Sequence, residues 1–203
     1  MFIRRENFKQ FIKFYPTVSL IIAINFIIYI LTIPSDMKQL LFTYGMGHNL
    51  LIANGEWWRV VTSMFLHADF FHVLFNMFSL FLFGPELERI AGKVRFLTIY
   101  FLAGIFGNVL TFVTQDLFYN SVGASGAIYG IFGAFAALVY YTRHTMPQLK
   151  QIIMPIIIIG IIFTLIQPGI NIMSHLGGLV TGFVLGLIYF TPKNIIRWRN
   201  RRK

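Results

Sequence analysis

Long apolar runs separated by short charged stretches set the pattern of this chain. The uncharged stretch from Phe14 to Ser35 holds the core VSLIIAINFIIYILTI, long enough to cross a bilayer. It exceeds the apolar region of a signal peptide, and no small-residue cleavage site follows it. A shorter run after Asp69 reads FFHVLFNMFSLFLFG up to Gly84, a third lies between Arg95 and Asp116, and a fourth between Asp116 and Arg143. From Gln151 to Pro192 no residue carries a formal charge, which is too long for one crossing. Gln167-Pro168-Gly169-Ile170-Asn171 divides that run, because Pro-Gly is strong turn punctuation. The pattern predicts six spans, near 16–33, 70–86, 94–114, 124–142, 151–167 and 173–191. They are apolar nearly all round, so the helical period adds little to their placement. The expected fold class is all-α: a polytopic membrane protein with six transmembrane helices.

Composition agrees and narrows the field. The 203 residues are 57% hydrophobic and only 12% charged, with a mean hydropathy of +0.70. Soluble domains carry about 25% charged residues, so a water-facing surface could not be covered. A soluble enzyme and a disordered chain are excluded. With no cysteine, a disulfide scaffold, a thiolate nucleophile and a Cys-ligated zinc site are excluded as well.

A net charge of +10 invites a nucleic-acid reading, but the positions of the charges argue against it. Arg4, Arg5, Lys9 and Lys13 precede the first span, and six basic residues from Lys193 to Lys203 follow the last. Six spans put both ends on one side, together with Arg89, Lys93, Arg95, Arg143 and Lys150. Only Lys38 and Arg59 fall on the other side. This asymmetry follows the positive-inside rule and makes both termini cytoplasmic. The expected organisation is a cytoplasmic N-terminal segment (1–15), a six-helix membrane domain (16–191) and a basic cytoplasmic tail (192–203). The first connection, about 34–69, is the long one. Its Trp57, Trp58, Leu50, Leu51 and Ile52 suit the membrane interface on the outer face.

Polar groups at membrane depth are expensive and point to function by default. Those that stand out are His72 and Asn76 in the second span, Ser125 opening the fourth and His175 opening the sixth. All three spans enter from the outer face, so these residues lie at similar depth and can converge. A serine hydroxyl is a weak nucleophile that needs an adjacent base, and His175 can take and return a proton. Ser125 begins a helix, so its own N–H is free to stabilise an oxyanion. His72 and Asn76, four residues apart, share a helix face and can add side-chain donors. No acidic residue lies near His175 in sequence, which suggests a Ser–His dyad without a third member. No set of metal ligands is evident, and neither metal nor cofactor is expected.

Each feature also has a plainer reading. Gly123-Ala124-Ser125-Gly126 suits a close helix contact, and an isolated intramembrane histidine suits ion binding or proton relay. Asn76 could tie two helices together. Tyr129 could be packing, or could lean on the His175 ring. Gly178, Gly182 and Gly186 repeat every fourth residue, which is first a packing face. The catalytic reading gains from the conjunction.

Together these residues resemble the rhomboid family of intramembrane serine proteases over about residues 16–191, in its minimal six-helix bacterial form. The resemblance rests on Gly55-Glu56-Trp57-Trp58-Arg59, His67-x4-His72-x3-Asn76, Glu88-Arg89, Gly123-x-Ser125-Gly126 and His175-x2-Gly178-x3-Gly182. It implies hydrolysis of a peptide bond in or beside the transmembrane helix of single-pass or polytopic membrane-protein substrates, hence regulated proteolysis at a bacterial plasma membrane. Ser125 would be nucleophile and His175 general base. The Ser125 N–H, His72 and Asn76 would form the oxyanion hole, and Tyr129 would pack on His175. Trp58, Arg59 and His67 would order the first connection, while the fifth span and the loop after it would form a lateral gate and cap. Ser174 departs from the alanine common before the family's histidine. Some relatives bind clients without cutting them, which is the alternative to proteolysis. A small transporter is a poorer fit, since no matched halves or deep charges are present. The oligomeric state and the natural substrate are not encoded in any readable motif.

Overall fold

The computed structural model describes residues 6–191 and Asn194. The chain runs through α1 (Phe8–Phe14), α2 (Pro16–Leu31), α3 (Ser35–Gly45), β1 (Gly47–His48), α4 (Asn49–Ala53) and α5 (Arg59–Thr62). A 3-10 turn, Ser63–Phe65, then leads into α6 (Phe70–Ala91) and α7 (Lys93–Thr114). The strand β2 (Asn120–Ser121) precedes α8 (Ser125–Thr142), α9 (Pro147–Ile166) and α10 (Ile172–Tyr189). The five helices α6 to α10 have the length and apolar composition to cross a membrane. The sixth candidate is α2, 16 residues long, joined to α1 at a bend of 112°. Tyr15-Pro16 makes that bend: proline suits the first turn of a helix but cannot continue one. Arg4, Arg5 and the basic tail lie outside the described residues.

The bundle is arranged around α8. Fourteen of its 18 residues are buried, so it is enclosed by the other helices. By contrast α9 exposes Ile158, Ile159, Ile162, Phe163, Leu165 and Ile166, a face that only lipid suits. α10 lies against α7 and α8 through small residues. Methyl groups added at Gly178 and Gly182 would lie 2.0 and 1.9 Å from the carbonyl oxygens of Gly126 and Gly130. One added at Gly186 would lie 3.0 Å from the Cα of Ala134. The pairs 126/178, 130/182 and 134/186 advance in step, so the two helices run parallel at backbone contact. Lipid supplies no hydrophobic drive for helix association, and close approach of small residues takes its place. Gly182→Ala should therefore destabilise the bundle by about 1–3 kcal/mol, since the added carbon meets backbone that cannot swing away. Thermal unfolding in detergent would check this; an unchanged midpoint would contradict it.

Two features depart from the expected outline. α6 continues past 86 to Ala91 with Pro85 inside it, and its charged end turns inward. Glu88 is buried and accepts from Thr17 N at 3.2 Å and Val18 N at 3.0 Å, the first-turn amides of α2. Tyr15 provides no side-chain cap there, so a carboxylate from another helix satisfies the orphan donors. Glu86 pairs with Arg89. The first connection is also largely helical, and β1 pairs antiparallel with β2, Gly47 opposite Ser121. That two-residue ladder pins the connection to the approach of α8.

Candidate active site

Ser125 is the first residue of α8, after Ala124 at the N-cap. Its backbone amide belongs to the first turn, where helix geometry supplies no carbonyl four residues back. Gly123, two residues earlier, has a φ of +124°, which a residue with a Cβ adopts only under strain. Its amide donates to Ser63 O at 2.9 Å, which fixes the turn against the first connection. Ser125 itself is half-buried. The parallel contact of Gly126 with Gly178 sets the starts of α8 and α10 side by side, and His175 lies in the first turns of α10.

His175 is buried and held on two sides. Its ring stacks on Tyr129, centroids 4.1 Å apart and planes 15° from parallel. Its Nδ1 lies 2.8 Å from Thr164 Oγ1 of α9. The Tyr129 hydroxyl reaches the same group, 2.6 Å from Thr164 Oγ1 and 2.6 Å from Gly160 O.

His72 and Asn76 come from α6, which Asp69 caps by accepting from His72 N at 2.9 Å. A methyl group added at Gly123 would meet His72 Nε2 at 2.6 Å and Asn76 Nδ2 at 3.8 Å. Both side chains therefore reach the turn that leads into Ser125. Asn76 is buried, and its Nδ2 has no acceptor among the described residues. The ends of α6, α8 and α10 thus bring four of the polar residues to one neighbourhood.

Comparison with known proteins gives this arrangement its family. A model of the rhomboid domain matches residues 54–192. The Bacillus subtilis (strain 168) protein YdcA, which carries the rhomboid protease name, is 43% identical over 195 residues, 95% of this chain and 98% of YdcA. The chain belongs to the rhomboid family. "Rhomboid protease GluP" of the same bacterium is 37% identical over 160 residues, 78% of this chain but 31% of GluP. "Rhomboid-type serine protease 2" of Emericella nidulans is 34% identical over 150 residues, 72% of this chain and 30% of that protein. The chain therefore spans about a third of the length of these two and nearly all of YdcA. Its class is that of the rhomboid serine endopeptidases, integral to the membrane.

Around the site, this rhomboid is braced by polar contacts that reach back into the first connection. Arg59 is buried and donates to Met46 O at 2.8 Å and Thr43 O at 2.7 Å, with Glu56 Oε2 at 2.7 Å from its Nε. Trp58 Nε1 donates to Tyr44 O at 3.1 Å. Together they tie the end of α3 to α5. A second set of polar contacts joins α7 to the first connection and to α10. Asn108 of α7 donates to Val60 O at 2.8 Å and Ser63 Oγ at 3.0 Å, and Ser174 Oγ donates to its Oδ1 at 3.4 Å. Asn171 Oδ1 accepts from Ser174 N and from Thr111 Oγ1, each at 3.0 Å. Ser174 thus joins α10 to α7. Asn108 had a visible signal, an amide at membrane depth; Thr164 had none.

His67 ends the connection and is 1% exposed, its ring edge-on to His72 at 5.0 Å. Burial, and then the neighbouring charge of His72, push its pKa from 6.5 down to about 3. The folded chain thus keeps His67 neutral where the unfolded chain would protonate it. Stability from this group is complete above pH 6.5 and is lost as pH falls towards 3. Between pH 7 and pH 5 the loss should be about 2 kcal/mol. Unfolding in detergent at the two pH values should show a smaller drop for His67→Gln than for the parent. Equal drops would contradict the assignment.

Proposed function

We propose that this rhomboid cuts a peptide bond in or next to a substrate's transmembrane helix through a Ser125–His175 dyad that opens to the outer face. His175 Nε2 takes the Ser125 hydroxyl proton as Oγ attacks the scissile carbonyl carbon. The carbonyl oxygen becomes an oxyanion held by the Ser125 N–H, His72 and Asn76. As the tetrahedral intermediate collapses, the C–N bond breaks and the imidazolium returns its proton to the leaving amine. Water, deprotonated by the same ring, then hydrolyses the acyl-serine and regenerates the hydroxyl.

Asn76 carries this reading furthest. A buried amide donor left without an acceptor is destabilising by about 1–3 kcal/mol. A donor reserved for charge that develops only during reaction explains that expense. The Tyr129 stack on His175 supports a positioned base, and the contact of Gly178 and Gly182 with α8 supports its approach to Ser125. Gly123 and Gly126 give room at the turn, while Trp58, Arg59 and His67 order the loop above it. The charge asymmetry supports cytoplasmic termini and the 1–15, 16–191 and 192–203 organisation, and the similarity to YdcA of Bacillus subtilis supports a bacterial plasma membrane location. The substrates would be single-pass or polytopic membrane proteins meeting the enzyme within the bilayer, with no metal or cofactor taking part.

The experiment is reconstitution in liposomes with a model single-pass protein. Two fragments released from it are expected. A substrate that co-purifies intact and is never cut would sink proteolysis in favour of client binding.

A further inference from the structure

We propose that Thr164 is the positioning residue for His175, accepting a hydrogen bond from Nδ1–H and leaving Nε2 as the base. This rests on His175 being the general base. In sequence the dyad lacks an acidic third member, since no Asp or Glu lies near His175; the hydroxyl of α9 occupies that place.

Counting protons decides the direction of the bond. Four contacts meet here: Thr164 Oγ1 with His175 Nδ1 at 2.8 Å, Thr164 Oγ1 with Tyr129 OH at 2.6 Å, and Gly160 O with Tyr129 OH at 2.6 Å and with Thr164 Oγ1 at 2.9 Å. The two hydroxyls carry one proton each. If Nδ1 is protonated it donates to Thr164 Oγ1, Thr164 donates to Gly160 O, and Tyr129 donates to Gly160 O or to Thr164 Oγ1. Every donor then has an acceptor, and Nε2 keeps its lone pair. If Thr164 instead donates to Nδ1, the ring proton moves to Nε2, which could no longer accept the serine proton. The tautomer a base needs is the one that fills the most contacts.

Thr164 is 4% exposed, yet α9 is the most lipid-exposed of the five long helices. The base is therefore steadied on one side by the enclosed α8, through Tyr129, and on the other by the most loosely covered helix. Displacement of α9 from α8 removes the Nδ1 acceptor while leaving the stack in place.

The test compares Thr164→Val, which keeps the shape and removes the hydroxyl, with Thr164→Ser, which restores it. For cleavage of a model transmembrane substrate, Thr164→Val should lower kcat by about 10- to 100-fold with KM little changed. The fluorophosphonate labelling rate should fall in parallel, and Thr164→Ser should recover both. A folded Thr164→Val with parental kcat, beside an inactive His175→Ala, would overturn the role of Thr164 and leave the dyad standing. An active His175→Ala would overturn the dyad itself. Should the valine variant fail to fold, nitrogen NMR of histidine in the parent chain decides, with the His175 signal assigned by its loss in His175→Ala. Nδ1–H is expected; a proton on Nε2 would refute the proposal.

Discussion

Ser125→Ala should lower cleavage of a model transmembrane substrate by at least about 10,000-fold while the protein stays folded. The size follows from the chemistry. Without Oγ no acyl-enzyme can form, and what remains is whatever the oxyanion donors and substrate binding supply alone. Folding should be spared, because Ser125 is half-buried at a helix start and the close contacts of α8 with α10 run through Gly126, Gly130 and Ala134 instead. Turnover is to be measured in detergent and in liposomes, alongside thermal unfolding. Residual cleavage within ten-fold of the parent would remove Ser125 from the mechanism.

His175→Ala carries the second large effect, a loss of the same order, because nucleophile and base act as a unit. The double variant Ser125→Ala/His175→Ala should therefore be no slower than either single one. Additive losses would mean that the two residues act independently. This substitution is less benign for structure: the imidazole stacks on Tyr129 and contacts Thr164, so its removal leaves a void. His175→Asn fills part of that space and should be equally inactive, which separates lost chemistry from lost packing.

The membrane spans are legible because charge is confined to their margins, so runs such as 94–114 mark α7 nearly to the residue. The candidate site is legible for a related reason. Within nearly uncharged spans, Ser125, His175, His72 and Asn76 stand out, and the topology derived from lysine and arginine alone puts them at one depth. Thr164 is hidden by the same logic. A threonine within a span ordinarily bonds its own helix backbone, and Thr164 also makes that bond, to Gly160 O. Nothing in its surroundings in sequence announces the contact with His175. Glu88 was readable as a charged margin but not as the cap of α2, because the partner amides lie some seventy positions away. The short helices α4 and α5 and the two-residue strands are too brief for any periodic signal, and the end of α3 is set by contacts such as those of Arg59.

The most direct measurement maps the fluorophosphonate adduct by mass spectrometry after labelling the purified, folded chain. The modification is expected on the peptide containing Ser125, at that residue, and the signal should fall to background in His175→Ala. An adduct on another serine, or full labelling of Ser125 without the histidine, would contradict the Ser125–His175 dyad.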